Sequence, residues 1–302
     1  MTRQYIVYQI NSFTEEKFSG NPAGVVLNAE GLTEPEMLLI ARELKNSETA
    51  FIFPKSNNDD YDVEIRFFTP TVEVPICGHA TIAAHYVRAV ENQLPLKNIS
   101  RQKTKVGILP IEIVRNDNKI KVSMTQGKID FERIEKAFQL QILTALGLTE
   151  DDIIENFPIE IASTGHSKVM IGITSKTKLN LLKPNLSELA RLSDLIHCNG
   201  YFVFTIDDQP HSFSTDGRMF APAIGINEDP VTGNANGPLG AYLIKNKLVV
   251  YNNDVFSFTA RQGEAMGRLG SMEVSVDIEN GIPRKVQILG SAVTVFKTVI
   301  EL

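Results

Sequence analysis

Two short stretches of the sequence share one pattern, and this pattern decides the fold. The first reads Pro-Ile-Cys-Gly-His-Ala-Thr at 75–81, and the second reads Pro-Val-Thr-Gly-Asn-Ala-Asn at 230–236. In each, a Gly, a polar residue and an Ala open an apolar run that predicts a helix. The first backbone N–H groups of a helix lack partners within it and attract anions. Two such helix starts predict one anion site built by two related halves.

The sequence around these stretches is repeated as well. The lead-in Arg-Phe-Phe-Thr-Pro at 66–70 has its counterpart in Arg-Met-Phe-Ala-Pro at 218–222. A repeat unit of half the chain is too long for a solenoid. It predicts two similar domains related by a pseudo-twofold axis, with a ligand cleft between them. We place the boundary at Asn116, Asp117 and Asn118, so that the domains cover 1–118 and 119–289.

The order of the predicted elements indicates the fold class. A helix begins after Thr33, where Glu36 completes a capping box. Strands at 106–114 and 119–124 form a hairpin across 115–118. Each half has several strands, many joined by hairpins, with one long helix and one shorter helix. This order is typical of α+β proteins with largely antiparallel sheets, not of alternating βαβ units.

Composition limits the partners of the chain. Its 302 residues are 43% hydrophobic and 22% charged, as in an ordinary soluble protein. A net charge of −6 argues against nucleic acid or an anionic membrane as the main partner. The N-terminus resembles a strand and not a signal peptide, and no apolar run is long enough for a membrane span. We therefore expect a cytoplasmic protein.

Glu48 is the first candidate for chemistry, because it lies where a helix ends and an apolar strand begins. The matching residue of the second half is Asn199. The halves thus differ in charge at this point, as a site with a single acid/base requires. Partial burial can raise the pKa of a carboxyl group towards the working pH, which suits general acid–base catalysis. The alternative is an exposed Glu at a helix C-terminus.

His79 and Asp229 are the next candidates. His79 is the second residue of the first predicted helix, where it could donate to a substrate or relay a proton. Asp229 directly precedes the second stretch, and Asn234 occupies the place that matches His79. Asn234 could bind a carboxylate without adding charge. The alternatives are helix capping for His79 and turn formation for Asp229.

Cys77 could act as a base or nucleophile, because a helix N-terminus lowers the pKa of a thiol. A two-thiol racemase needs a second, facing thiol, but the repeat places Thr232 there and Cys198 elsewhere. A small packing residue is the interpretation that we prefer for Cys77. The five histidines show no metal-ligand spacing, so we predict no metal site.

Several blocks together resemble the phenazine-biosynthesis PhzF-like isomerases, which are similar in fold to diaminopimelate epimerase. The blocks span almost the whole chain in family order, and the three central ones together are highly specific. They are Phe-Ser-Gly-Asn-Pro-Ala at 18–23, Ser-Glu-Thr-Ala-Phe at 47–51, Cys-Gly-His-Ala-Thr at 77–81, Glu-Asp-Pro-Val-Thr-Gly-Asn-Ala at 228–235, and Gln-Gly with Met-Gly-Arg at 262–268.

The resemblance implies two domains, each a mainly antiparallel barrel around a central helix, with a C-terminal strand at about 290–302 that returns to the first domain. It also implies a homodimer and cofactor-independent proton transfer on a small anionic metabolite. The family's catalytic glutamate falls on Glu48. Its Gly-His pair falls on Gly78 and His79, and its helix-start Asp and Gly fall on Asp229 and Gly233.

Two residues differ from those of the phenazine enzyme. That enzyme has a Ser where this chain has Asn234, and a small residue without a thiol where this chain has Cys77. The epimerases keep a catalytic cysteine at the second position. We assign Asn234 and Cys77, with the two glycines, to substrate binding. The differences leave the identity of the substrate open.

These features favour an isomerase in which Glu48 moves a proton within a carboxylate-bearing molecule held in the cleft between the domains. Two alternatives remain. One is a binding protein that holds a small anion without converting it. The other is a racemase or epimerase that depends on Cys77.

Overall fold

The chain forms two compact units. The computed structural model describes residues 2–55, 60–92, 95, 97–116, 119–209 and 212–302. Unit 1 comprises Met1–Met124 and Leu289–Leu302, and unit 2 comprises Thr125–Ile288. The boundary that we placed at 116–118, and the turn of the hairpin there, include Asp117 and Asn118, which lie outside the described residues.

Apart from two further helices in unit 2, Lys136–Leu146 and Lys176–Leu181, the strands and helices follow a similar order in both units. They are β1 (Gln4–Ser12), β2 (Asn21–Val26), α1 (Glu34–Leu44), β3 (Thr49–Pro54), β4 (Val63–Phe68), β5 (Glu73–Val74), α2 (Gly78–Glu91), β6 (Lys97–Thr104), β7 (Gly107–Asn116), β8 (Lys119–Thr125), β9 (Asp130–Arg133), α3 (Lys136–Leu146), β10 (Glu160–Ser163), β11 (Ser167–Gly172), α4 (Lys176–Leu181), α5 (Leu186–Ile196), β12 (Tyr201–Gln209), β13 (Ser212–Ala221), β14 (Ile226–Asp229), α6 (Gly233–Lys245), β15 (Val255–Gln262), β16 (Gly270–Glu279) and β17 (Ile282–Glu301).

Unit 1 is a closed barrel of eight strands around α2. β1 pairs antiparallel with β2 and with β17, and β17 also pairs with β8. Between them, β2–β3 and β4–β6 are parallel, while β3–β4, β6–β7 and β7–β8 are antiparallel. α2 packs against β1, β2, β3 and β7. Its fully buried Ala80, Ala83 and Ala84 allow the strands to approach closely.

Unit 2 repeats this order. β10–β11, β12–β13 and β15–β16 are antiparallel, and β11–β12 and β13–β15 are parallel. The sheet wraps α6, which contacts β10, β11, β15 and β16. The sequence repeat and the predicted fold class, α+β with mainly antiparallel sheet around a central helix in each half, are therefore confirmed.

Two local predictions are also confirmed. The backbone N–H and the hydroxyl of Thr33 both bond to the Glu36 carboxylate, at 2.8 and 2.9 Å, in a capping box at the start of α1. The predicted hairpin is the antiparallel pair β7–β8. Within the described ranges, the helices are too short or too polar to cross a membrane.

His85 in α2 is fully buried and makes the fold sensitive to acid. Its Nε2 lies 2.7 Å from Gln102 Oε1, and Arg88 donates to its Nδ1 at 3.1 Å, so Nε2 carries the proton. Burial, followed by the charge of Arg88, lowers the pKa of His85 to about 3.

Because the unfolded chain binds a proton at His85 below about pH 6.5 and the folded chain does not, stability falls as the pH drops from there towards about 3. We expect His85→Asn to reduce this loss, which is about 1.4 kcal/mol per pH unit for one such group. The loss of stability is measured by urea unfolding at about pH 7 and at about pH 5. Exposed His197 gives the control variant His197→Asn. Equal losses in wild type and His85→Asn would contradict the assignment.

Candidate functional site

Glu48 is placed by the crossover from β2 to β3. α1 ends at Lys45 in the left-handed conformation, with φ of 54°, and Glu48 immediately precedes β3. The Gly24 N–H of β2 donates to the Glu48 carbonyl at 3.3 Å. The side chain of Glu48 is 15% exposed. The Glu48 carboxylate is thus half-buried on a backbone that the parallel strands hold, and it remains accessible to a small molecule.

His79 contacts this carboxylate directly. Its Nε2 lies 3.3 Å from Glu48 Oε2 and 3.2 Å from Ser47 Oγ. Its backbone carbonyl accepts a hydrogen bond from Ser12 Oγ at 2.7 Å. The imidazole is buried in the first turn of α2. It can therefore orient the carboxylate and exchange a proton with it.

Cys77 completes a three-residue cluster. Its Sγ lies 3.4 Å from Nδ1 and 3.9 Å from Nε2 of His79. The N–H and hydroxyl of Thr81 both donate to the Cys77 carbonyl, at 3.0 and 2.7 Å, which fixes the start of α2. One ligand atom from each of Glu48, Cys77 and His79 lies within 4.8 Å of the others. A carboxylate, an imidazole and a thiol thus share one small volume.

Gly78 leaves space beside this cluster. It is the first residue of α2, and its φ does not require a glycine. A Cβ added to it would meet only Met124 Sδ, at 3.8 Å, among the described residues. Packing and backbone conformation therefore do not explain this glycine. The space beside the first N–H groups of α2 is therefore open where a side chain would stand.

In unit 2, Gln262 organises the loop that carries Asp229. Its Nε2 donates to the Asp229 carbonyl at 2.7 Å and to Thr232 Oγ1 at 3.0 Å. Its Oε1 accepts from the Thr232 N–H at 3.1 Å and from Asn236 Nδ2 at 2.9 Å. The Thr232 hydroxyl in turn donates to the Asp229 carboxylate. One buried amide thus fixes Asp229 relative to the start of α6.

Gly263 allows Gln262 to reach this loop. Its φ is +91°, and a Cβ there would lie 2.4 Å from the Arg268 carbonyl oxygen and 2.8 Å from the Pro230 carbonyl oxygen. Both the conformation and the contact exclude a side chain. The sequence analysis placed Gln262 and Gly263 in one of the family blocks but gave the amide no role. In the sequence, a polar residue directly before a glycine was the signal that could have indicated this role.

The start of α6 differs from the regular helix that we predicted. α6 begins at Gly233 as expected, but Asn234 is not helical, with φ of −81° and ψ of 17°. The N–H groups of Ala235 and Asn236 both bond to the Thr232 carbonyl, at 3.2 and 3.1 Å. Pro238 explains the kink, because a proline ring clashes with the carbonyl four residues earlier, here that of Asn234.

Lys168 is a buried cation that the sequence analysis missed. Its side chain lies against Gly200, the residue before β12, where an added Cβ would lie 2.3 Å from Lys168 Cδ. Burial lowers the pKa of Lys168, and the charges of Cys198 and Asp229 oppose this shift. In the sequence, a single Lys within an apolar strand was the signal that could have indicated a buried cation.

Comparison with known proteins shows the family. Residues 10–298 match the family model described as phenazine biosynthesis-like protein. An uncharacterized isomerase of Clostridium acetobutylicum is 56% identical over 99% of this chain and 98% of its own length. The trans-2,3-dihydro-3-hydroxyanthranilate isomerase of Pseudomonas aeruginosa is 30% identical over 89% of this chain and 88% of its own.

A solved structure of the same family also matches the chain. The phenazine biosynthesis protein of the PhzF family from Bacillus anthracis has a TM-score of 0.87 and 30% identity, and the match covers 99% of each chain. The span matched by the family model, 10–298, includes Glu48, His79 and Asp229. The chain therefore belongs to the phenazine biosynthesis-like, or PhzF, family and is an isomerase.

Proposed function

We propose that the chain is a cofactor-independent isomerase that moves a proton within a small carboxylate-bearing metabolite, with Glu48 as the general acid/base. The observation that carries this proposal is the 3.3 Å contact between Glu48 Oε2 and His79 Nε2 beside the open start of α2. A base must lie within reach of its substrate and in a fixed orientation. The contact with His79 supplies the orientation, and the partial exposure of Glu48 supplies the access.

Substrate binding in this proposal uses the helix starts. The N–H groups at Gly78 and His79 receive the negative charge of the substrate, since they point out of the first turn of α2. Gly233 and Asn234 take the same role at α6, and Asp229 orients the substrate or relays a proton. The sequence repeat is the support for one substrate that contacts both helix starts, in a cleft between the two halves.

The proposed reaction conserves every proton. The Glu48 carboxylate removes a proton from a carbon next to an activating group, and the electron pair moves into that group and the adjacent double bond. The protonated Glu48 then returns the proton to another carbon of the same molecule. His79 donates to Oε2 while the carboxylate is charged. The charge that develops on the substrate is stabilised by the helix N–H groups.

The test is a screen of small unsaturated and β-substituted carboxylates by proton NMR. The first compound is trans-2,3-dihydro-3-hydroxyanthranilate, the substrate that the name of the P. aeruginosa relative gives. We expect at least one compound to be converted to a positional isomer with no added cofactor. Calorimetric binding of several carboxylates without conversion of any would instead support a protein that only binds anions.

The contact between Cys77 and His79 favours a second candidate, a racemase or epimerase whose base is the Cys77 thiolate. The two candidates differ in their response to Cys77→Ala. We expect this variant to retain activity within about tenfold of wild type, because a neighbouring group tunes the base without carrying the proton. The measurement is kcat/KM on the converted compound. A loss of about a hundredfold or more, with an unchanged melting temperature, would favour the thiol mechanism.

A further inference from the structure

We propose that Glu48, Cys77 and His79 form a binding site for one Zn²⁺ ion. Nε2 of His79 lies 3.3 Å from Oε2 of Glu48 and 3.9 Å from Sγ of Cys77. Around a tetrahedral zinc, with bonds of about 2.0 Å to N or O and about 2.3 Å to S, these separations are about 3.3 and about 3.6 Å. The Glu48–His79 pair thus has the spacing of two zinc ligands, whereas Sγ of Cys77 lies nearer Nδ1, at 3.4 Å, and must turn towards an ion on Nε2; all three donor atoms lie within 4.8 Å of one another.

The donors also have the right chemistry. Thiolate, imidazole and carboxylate are the ligands that Zn²⁺ takes in proteins, and three of them leave a fourth position for water or a substrate. Cys77 immediately precedes α2, where the positive end of the helix favours a thiolate. Mg²⁺ and Ca²⁺ prefer sites made entirely of oxygen, so the thiol and the imidazole select against them.

Neighbouring groups hold the backbone of the three ligand residues in position. Thr81 bonds to the Cys77 carbonyl, Ser12 to the His79 carbonyl, and the Gly24 N–H to the Glu48 carbonyl. With the backbone fixed, metal binding requires rotation of side chains only. The sequence gives no sign of this site, because Glu48 is remote from the other ligands in the chain and no metal motif is present.

Zinc binding has a consequence for activity. A bound ion would occupy the Glu48 carboxylate and displace the proton that it would carry, so Zn²⁺ should inhibit the isomerase. The binding of zinc stands on geometry alone, whereas the inhibition rests on the proposed function. An experiment can therefore contradict the inhibition without contradicting the binding of zinc, and the reverse.

The experiment is a titration of the metal-free full chain with Co²⁺, followed by displacement with Zn²⁺. We expect one equivalent of Co²⁺ to give the visible bands of tetrahedral cobalt and a thiolate charge-transfer band in the near ultraviolet, and Zn²⁺ to abolish both. Cys77→Ser should lose the charge-transfer band and bind Zn²⁺ at least about a hundredfold more weakly. Cys198→Ser, which changes the other buried thiol, is the matched control and should behave as wild type.

Three results would overturn the site: no stoichiometric binding to wild type, a charge-transfer band that persists in Cys77→Ser, or a band that is lost in Cys198→Ser. His79→Asn provides a second test if Cys77→Ser fails to fold, and it should weaken binding to a similar degree. If zinc binds but turnover is unaffected, the site stands and the role of Glu48 fails. If zinc does not bind and Glu48→Gln is inactive, the site fails and the proposed function stands.

Discussion

Replacement of Glu48 by Gln is expected to lower kcat/KM by about 10²- to 10⁴-fold, the usual contribution of a positioned acid/base. Gln keeps the shape of Glu and can still contact His79, but it cannot accept a proton from carbon. We expect KM to change little, because the anion is bound by helix N–H groups and not by Glu48. Steady-state kinetics on the compound identified by NMR measure both quantities.

Glu43→Gln is the matched control, since Glu43 is exposed near the end of α1 and precedes Glu48 by only a few residues. It should retain wild-type kinetics. Equal activity of Glu48→Gln and Glu43→Gln would show that the base is another group. A rise in KM without a change in kcat would assign Glu48 to binding.

The second large effect is expected at Gln262. Replacement by Leu keeps most of the volume but removes the hydrogen bonds that Gln262 makes with the Asp229 carbonyl, the Thr232 N–H and the Asn236 amide. Each buried polar group left unsatisfied costs about 1–3 kcal/mol. We therefore expect a loss of roughly 3 kcal/mol or more in the free energy of unfolding, measured with urea.

Activity should fall as well, by about 10²-fold, because Asp229 and the start of α6 lose their common anchor. Gln209→Leu is the control: Gln209 is an exposed Gln at the end of β12 whose side-chain amide donates to Asp207. Its effect on stability should stay within about 0.5 kcal/mol. If Gln262→Leu were as stable and active as Gln209→Leu, the amide would not organise the loop.

Much of the fold could be predicted because its signals are local or repeated. The Gly-His-Ala and Gly-Asn-Ala stretches mark the starts of α2 and α6, and Thr33 with Glu36 marks the start of α1. The duplication then assigned both halves to one architecture. The kink at Asn234 could also have been predicted, since Pro238 lies four residues further along the chain.

The contacts within the site could not be predicted from the sequence. The distance between Glu48 and His79 depends on how the β2–β3 crossover and α2 pack in the barrel, and no periodicity encodes it. The four hydrogen bonds of Gln262 depend on a turn that closes between two segments distant in sequence. In the sequence Lys168 is one charge in a strand, and only the structure shows that its side chain packs against Gly200. The catalytic roles of Glu48, His79 and Asp229 stay predictions.

The central claim is that Glu48 carries the proton between two carbons of the substrate. The most direct measurement is NMR of product formed in D2O by wild type, Glu48→Gln and Cys77→Ala. Because the carboxyl proton of protonated Glu48, whose side chain is 15% exposed, exchanges with D2O before it is returned, we predict deuterium at the receiving carbon with wild type and Cys77→Ala, and none above background with Glu48→Gln. Deuterium incorporation by Glu48→Gln at the wild-type rate would contradict the claim, as would its loss in folded Cys77→Ala.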